Sequence, residues 1–101
     1  MFVKGDVKVL ILNQIHKYMK INKNVAWKTL SDKVVAVKTD TGVYYTMNEV
    51  SSLIWSLIDQ NMSIPDICKN IQTQFDNDDL IEIEEDVKQQ IEEWKNELLI
   101  V

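Results

Sequence analysis

The run Lys33 to Met47, KVVAVKTDTGVYYTM, leads without a spacer into NEVSSLIWSLID, and this juncture constrains the fold more than any other stretch of the chain. Val34 to Thr39 and Val43 to Met47 are β-branched and aromatic runs joined by Asp40-Thr41-Gly42, where Gly42 is free to take positive φ. A tight hairpin is predicted. Asn48 is a suitable N-cap, and after it Val50, Leu53, Ile54, Leu57 and Ile58 recur at i, i+3 and i+4, which predicts an apolar helical face ending near Gln60. A strand with no neighbour beyond it leaves one row of backbone N–H and C=O groups open, and such a row accepts an extended peptide as a further strand. Nothing in this stretch has the pattern of a catalytic centre.

Elements on either side complete the count. Asn24 to Leu30 places Val25 and Trp27 on one face and is bounded by Asn24 and by Ser31-Asp32, so it reads as a first short strand. Ser63 opens a capping box with Asp66 three residues on, Pro65 fits the first turn, and Ile64, Ile67, Ile71 and Phe75 form a second buried stripe that ends before Asp76-Asn77-Asp78. A third helix is predicted from about Glu84 to Leu98, with Val87, Ile91, Trp94 and Leu98 on one stripe and Glu84, Glu85 and Asp86 at its positive dipole end. The fold class is therefore α+β, a three-stranded antiparallel sheet followed by three helices. Residues 1–22 form a basic, apolar N-terminal extension. Val7, Val9 and Ile11 alternate like a strand while Val7, Ile11, Ile15 and Tyr18 recur like a helix face, so the extension reads as an added element packed on the domain, a segment lying in the peptide site, a homodimer contact, or a disordered stretch.

At 101 residues the chain forms one domain, because a chain this size buries only about two thirds of its unfolded surface. The single Cys68 has no partner for a disulfide, which suits a reducing cytoplasm, and with His16 it falls short of a metal-ligand set. No run approaches the roughly 20 apolar residues of a membrane span. Charge is divided: Met1 to Thr39 carries eight Lys against two Asp, and Asp40 to Val101 carries three Lys against fourteen acids. Arginine, the residue that forks onto phosphates and guanine edges, is absent, which argues against nucleic-acid binding.

Other reactive side chains have ordinary readings. His16 lacks a nucleophile or carboxylate nearby in sequence, Cys68 falls one turn beyond Ile64 as a small buried hydrophobe, and Trp27, Trp55 and Trp94 fill the core. The acids from Asp76 to Asp86 lack the glycine and spacing of a calcium loop, so they read as a solvated loop and helix start. No catalytic residue, metal ligand or cofactor site is expected.

Taken in order, W-x-T-L-S-D-K-V-V-A-V, T-G-V-Y-Y-x-M-N-E-V-x-x-x-I-W, S-I-P-D-I and E-E-D-V with a terminal helix resemble the PqqD-like family, also called RiPP recognition elements. The resemblance covers about Lys23 to Val101, which sets a domain of residues 23–101 after the extension. It implies a winged-helix-like protein without catalysis that captures the leader of a ribosomally made precursor peptide and presents it to a modifying enzyme or leader peptidase. In that family the leader adds to the third strand and lies against the third helix. Carried onto this chain, the peptide site comprises Val43, Tyr44, Tyr45, Thr46 and Met47 on one wall and Val87, Lys88, Ile91, Trp94, Lys95 and Leu98 on the other.

On that mapping Lys88 and Lys95 meet acidic side chains of the peptide, while Ile91 and Trp94 floor an apolar pocket. The plainer reading of the lysines is a solvated face, since Glu84 to Lys88 is an ordinary i, i+4 pair worth a few tenths of a kcal/mol. Two rivals come from other classes. A winged-helix DNA-binding regulator needs a basic reading helix, and the third helix holds more acids than lysines. A structural partner subunit would bind a larger enzyme through the extension without peptide specificity.

Overall fold

The computed structural model describes residues 19–101. The readings of Val7, Val9, Ile11, Ile15, His16 and Tyr18 lie outside the described residues. Three strands come first, β1 (Val25–Leu30), β2 (Lys33–Lys38) and β3 (Tyr44–Thr46), followed by α1 (Glu49–Asp59), α2 (Ile64–Gln74) and α3 (Leu80–Asn96). The sheet is antiparallel in the order β1-β2-β3, as the hairpin pattern predicts.

Local chemistry explains each junction. Ser31 takes φ 58° in the two-residue turn between β1 and β2, where a hairpin needs a positive φ. Gly42 takes φ 77° in the β2–β3 turn, its N–H donating to the Lys38 carbonyl at 2.7 Å. Asn48 and Ser63 cap α1 and α2 by accepting the backbone N–H of Ser51 at 2.8 Å and of Asp66 at 3.4 Å.

The start of α3 differs from expectation. It begins at Leu80 and not near Glu84, because Asp79 acts as N-cap and accepts the Glu82 N–H at 3.1 Å. Leu80 and Ile81 precede the buried stripe and are 40% and 72% exposed, so apolar periodicity starts a turn after the helix itself.

All three helices end alike. Asn61, Asp76 and Leu98 take positive φ just past α1, α2 and α3, and the next residue donates back to the carbonyl five positions earlier: Met62 to Leu57 at 3.0 Å, Asn77 to Gln72 at 3.2 Å, Leu99 to Trp94 at 2.8 Å. Leu98 is therefore past the helix and 57% exposed instead of closing the apolar stripe.

The core sits between one sheet face and the helices. Trp55 is fully buried and meets Trp27 of β1 edge-on at 6.1 Å and Trp94 of α3 at 5.2 Å, so one indole from each layer interlocks. Such pairs add about 0.5–1.5 kcal/mol each beyond simple area burial. Ser52, the buried polar side chain of this core, accepts the Val34 N–H at 2.7 Å and donates to the Met47 carbonyl at 3.3 Å, which fixes α1 to the middle of the sheet. Before β1, Met19 is buried in the core and Ile21 bridges Ile100, with Lys20 and Val101 exchanging backbone hydrogen bonds at 3.0 and 2.8 Å.

Candidate functional site

Register decides which backbone groups are free. In the β2–β3 ladder the Val43 carbonyl accepts the Lys38 N–H and the Met47 N–H donates to Val34, both at 3.0 Å, so Val43, Tyr45 and Met47 bond inward to β2. Alternation then turns the N–H and C=O of Tyr44 and Thr46 away from the sheet. Among the described residues no strand pairs beyond β3. The outer edge of β1 is likewise unpaired by another strand among them; β3 is the edge that a side-chain hydrogen bond ties to the end of a helix.

That helix is α3, and two contacts tie it to β3 and the start of α1. The Tyr45 hydroxyl donates to Glu97 Oε2 at 3.0 Å, just past the α3 C-terminus, and the Ser51 hydroxyl donates to Gln90 Oε1 at 2.8 Å. Beside the second contact, between α1 and α3, lies a groove of about 330 Å³ lined by Asn48, Val50, Ser51 and Ile54 on one side and by Asp86, Gln89, Gln90 and Glu93 on the α3 side. Burial, then the hydrogen bond to Glu97 and the charges of Glu97 and Asp40, push the Tyr45 phenol above its ordinary range.

The structure distributes the expected site residues unevenly. Tyr44 (73% exposed) and Thr46 present the open edge, and their side chains lie on the sheet face away from the helices; Val43 is exposed at the turn and Tyr45 is half-buried toward α3. Met47, Val87, Ile91 and Trp94 are buried in the core, so they support the groove from beneath. Lys88 and Lys95 share the Glu84 flank of α3, which turns toward α2: burial pushes the Cys68 thiol up, the Glu84 charge adds to this, and Lys88 pulls it the other way. The opposite flank, Asp86, Gln90, Glu93 and Glu97, faces β3 and α1. Lys88 and Lys95 are thus on the flank away from β3, while Leu98 lies exposed past the end of α3.

Sequence reasoning missed this acidic flank. A helical wheel shows Asp86, Gln90, Glu93 and Glu97 at i, i+4, i+7 and i+11, but it is symmetric about the apolar stripe and does not say which flank meets the strand. Among the described residues no cluster of His, Cys, Asp and Glu is arranged to hold a metal ion, and no helix is long and apolar enough to cross a membrane.

A family model described as coenzyme PQQ synthesis protein D (PqqD) matches residues 33–100. Two solved structures share the fold. "TbiB1 in Complex with the TbiA(beta) Leader Peptide" is 27% identical with a TM-score of 0.75, over 80% of this chain and 93% of that one. "Lasso peptide synthetase B1 complexed with the leader peptide" has a TM-score of 0.76 over 83% of this chain and 98% of that one, and its 13% identity speaks to the fold alone. No curated protein matches the sequence.

Proposed function

The chain belongs to the PqqD family, and from that premise we propose that it is a RiPP recognition element, which binds the leader of a ribosomally made precursor peptide by strand addition to β3. The observation that carries this reading is the open edge at Tyr44 and Thr46 beside the end of α3, to which Tyr45 is hydrogen-bonded through Glu97. Backbone pairing holds any extended segment, and alternate side chains facing the groove decide which segment stays. The similarity to TbiB1, solved with a leader peptide, supports the same assignment.

The protein acts in the cytoplasm as a non-catalytic adaptor, delivering the bound leader to a modifying enzyme or leader peptidase. No pair of side chains at the edge suits nucleophile and base. The DNA-binding alternative is weakened by α3 itself, where Glu82, Glu84, Glu85, Asp86, Glu92 and Glu93 outnumber Lys88 and Lys95 in a position that would repel phosphates.

Nitrogen-15-labelled protein titrated with the leader of the precursor encoded beside its gene tests the proposal. Saturable shifts and slowed amide exchange at Tyr44 and Thr46 are expected. Saturable binding that leaves both amides unchanged, or no binding at millimolar peptide, overturns it.

A further inference from the structure

Charge in the groove restricts the guest. The lining contains two carboxylates, Asp86 and Glu93, and no cation, and Glu97 extends the same flank to the Tyr45 hydroxyl. Lys88 and Lys95 sit on the far flank, where they do not offset these acids. Gln90 is already engaged, accepting from Ser51 at 2.8 Å with its Nε2 3.5 Å from Glu93 Oε2, so it links the polar wall across the two helices.

Spacing turns this charge into a pattern. Glu93 and Glu97 are four residues apart, about 6 Å along a helix axis at 1.5 Å per residue. Residues i and i+2 of an extended strand are about 6.7 Å apart and point to the same face. A strand added to β3 therefore sends every second side chain to the face of Tyr45 and Met47, the face to which the Tyr45–Glu97 bond ties the acidic flank of α3.

Resting on the strand-addition reading above, we propose that the groove selects extended peptides with lysine or arginine at two positions separated by one residue, both facing α3. Apolar residues on the same face rest on the partly buried Val50. Neutral sequences bind more weakly and acidic ones are rejected, since a like charge in this cleft meets carboxylates without a counter-ion.

A random library of displayed 12-residue peptides, selected against the full chain, tests the proposal. Enrichment of Lys or Arg at i and i+2 is expected. A synthetic doubly cationic winner should bind roughly three- to tenfold tighter than its doubly neutral counterpart, as partly exposed ion pairs allow, and lose most of that advantage in about 1 M salt. On Glu93→Lys, which leaves the Tyr45–Glu97 bond in place, the preference at one position should turn acidic; if that variant fails to fold, Glu93→Gln should lose the preference there. Winners without charge preference, or the same enrichment on the variants, overturn the inference while leaving strand addition standing. A library that yields no binder above the Thr46→Pro background overturns both.

Discussion

The Tyr45 hydroxyl donates to Glu97 Oε2 across 3.0 Å, fastening the edge strand to the end of the last helix over a separation of 52 residues. The bond ties β3, only three residues long and with little ladder of its own, to the end of α3.

Folding raises the Tyr45 phenol above its unfolded value of about 10, so the native state holds that proton more tightly. The resulting stabilisation is complete below about pH 10 and is lost as pH rises through the folded value. Urea midpoints of the wild type are expected to fall more steeply than those of Tyr45→Phe at alkaline pH, with the two curves running parallel near neutrality. Parallel curves throughout the alkaline range would remove the Tyr45–Glu97 bond from the account.

Thr46→Pro deletes an outward N–H and plants a ring on the open edge. Edge strands tolerate proline where the lost donor faces solvent, so the far-UV spectrum should be retained. Leader affinity should drop by roughly tenfold or more, from the lost backbone bond and the blocked approach, as read by fluorescence anisotropy. Unchanged affinity would move the site elsewhere.

Ser52→Ala leaves the buried Val34 N–H without its 2.7 Å acceptor. The cost is about 1–3 kcal/mol, and for a domain this size each kcal/mol lowers Tm by roughly 4–8 °C. Calorimetry checks it; a Tm within a degree of the wild type would contradict the role assigned to Ser52.

Leu98 holds φ 60° with its side chain 57% exposed, a conformation that costs an L-residue with a large side chain about 1–2 kcal/mol. Leu98→Gly removes that strain at some cost in unfolded-chain entropy, so a net gain of up to about 1 kcal/mol is expected in urea unfolding. A clear loss would mean that the Leu98 side chain is held by contacts that outweigh its backbone strain.

Much of the fold is legible in the sequence because local chemistry and tertiary demand agree. Gly42 suits its turn, Asn48 and Ser63 sit where helices need caps, and Val34, Ala36 and Met47 alternate to one side as a half-buried sheet requires. Illegible parts depend on contacts between distant residues or on signals read too narrowly. Asp79 followed by Glu82 is a capping pattern, but the exposed Leu80 and Ile81 hid it behind a stripe that begins at Ile83. Leu98 continues the spacing from Trp94, and no glycine or asparagine marks the turn that removes it from the helix. The flank of α3 that meets β3 is settled by Tyr45–Glu97 and Ser51–Gln90, pairs that no periodicity reveals.

The brevity of β3 has a kinetic consequence. Tyr44 and Thr46 offer a visitor two donors and two acceptors; at a net of about 1 kcal/mol per hydrogen bond this is about 4 kcal/mol, a dissociation constant near 1 mM. At ordinary association rates, about 10⁵ M⁻¹s⁻¹ or faster, a chain gripped by its backbone alone departs within roughly 10 ms. Longer residence must come from side chains, so trimming or altering a few of them releases a bound peptide without any rearrangement of the protein.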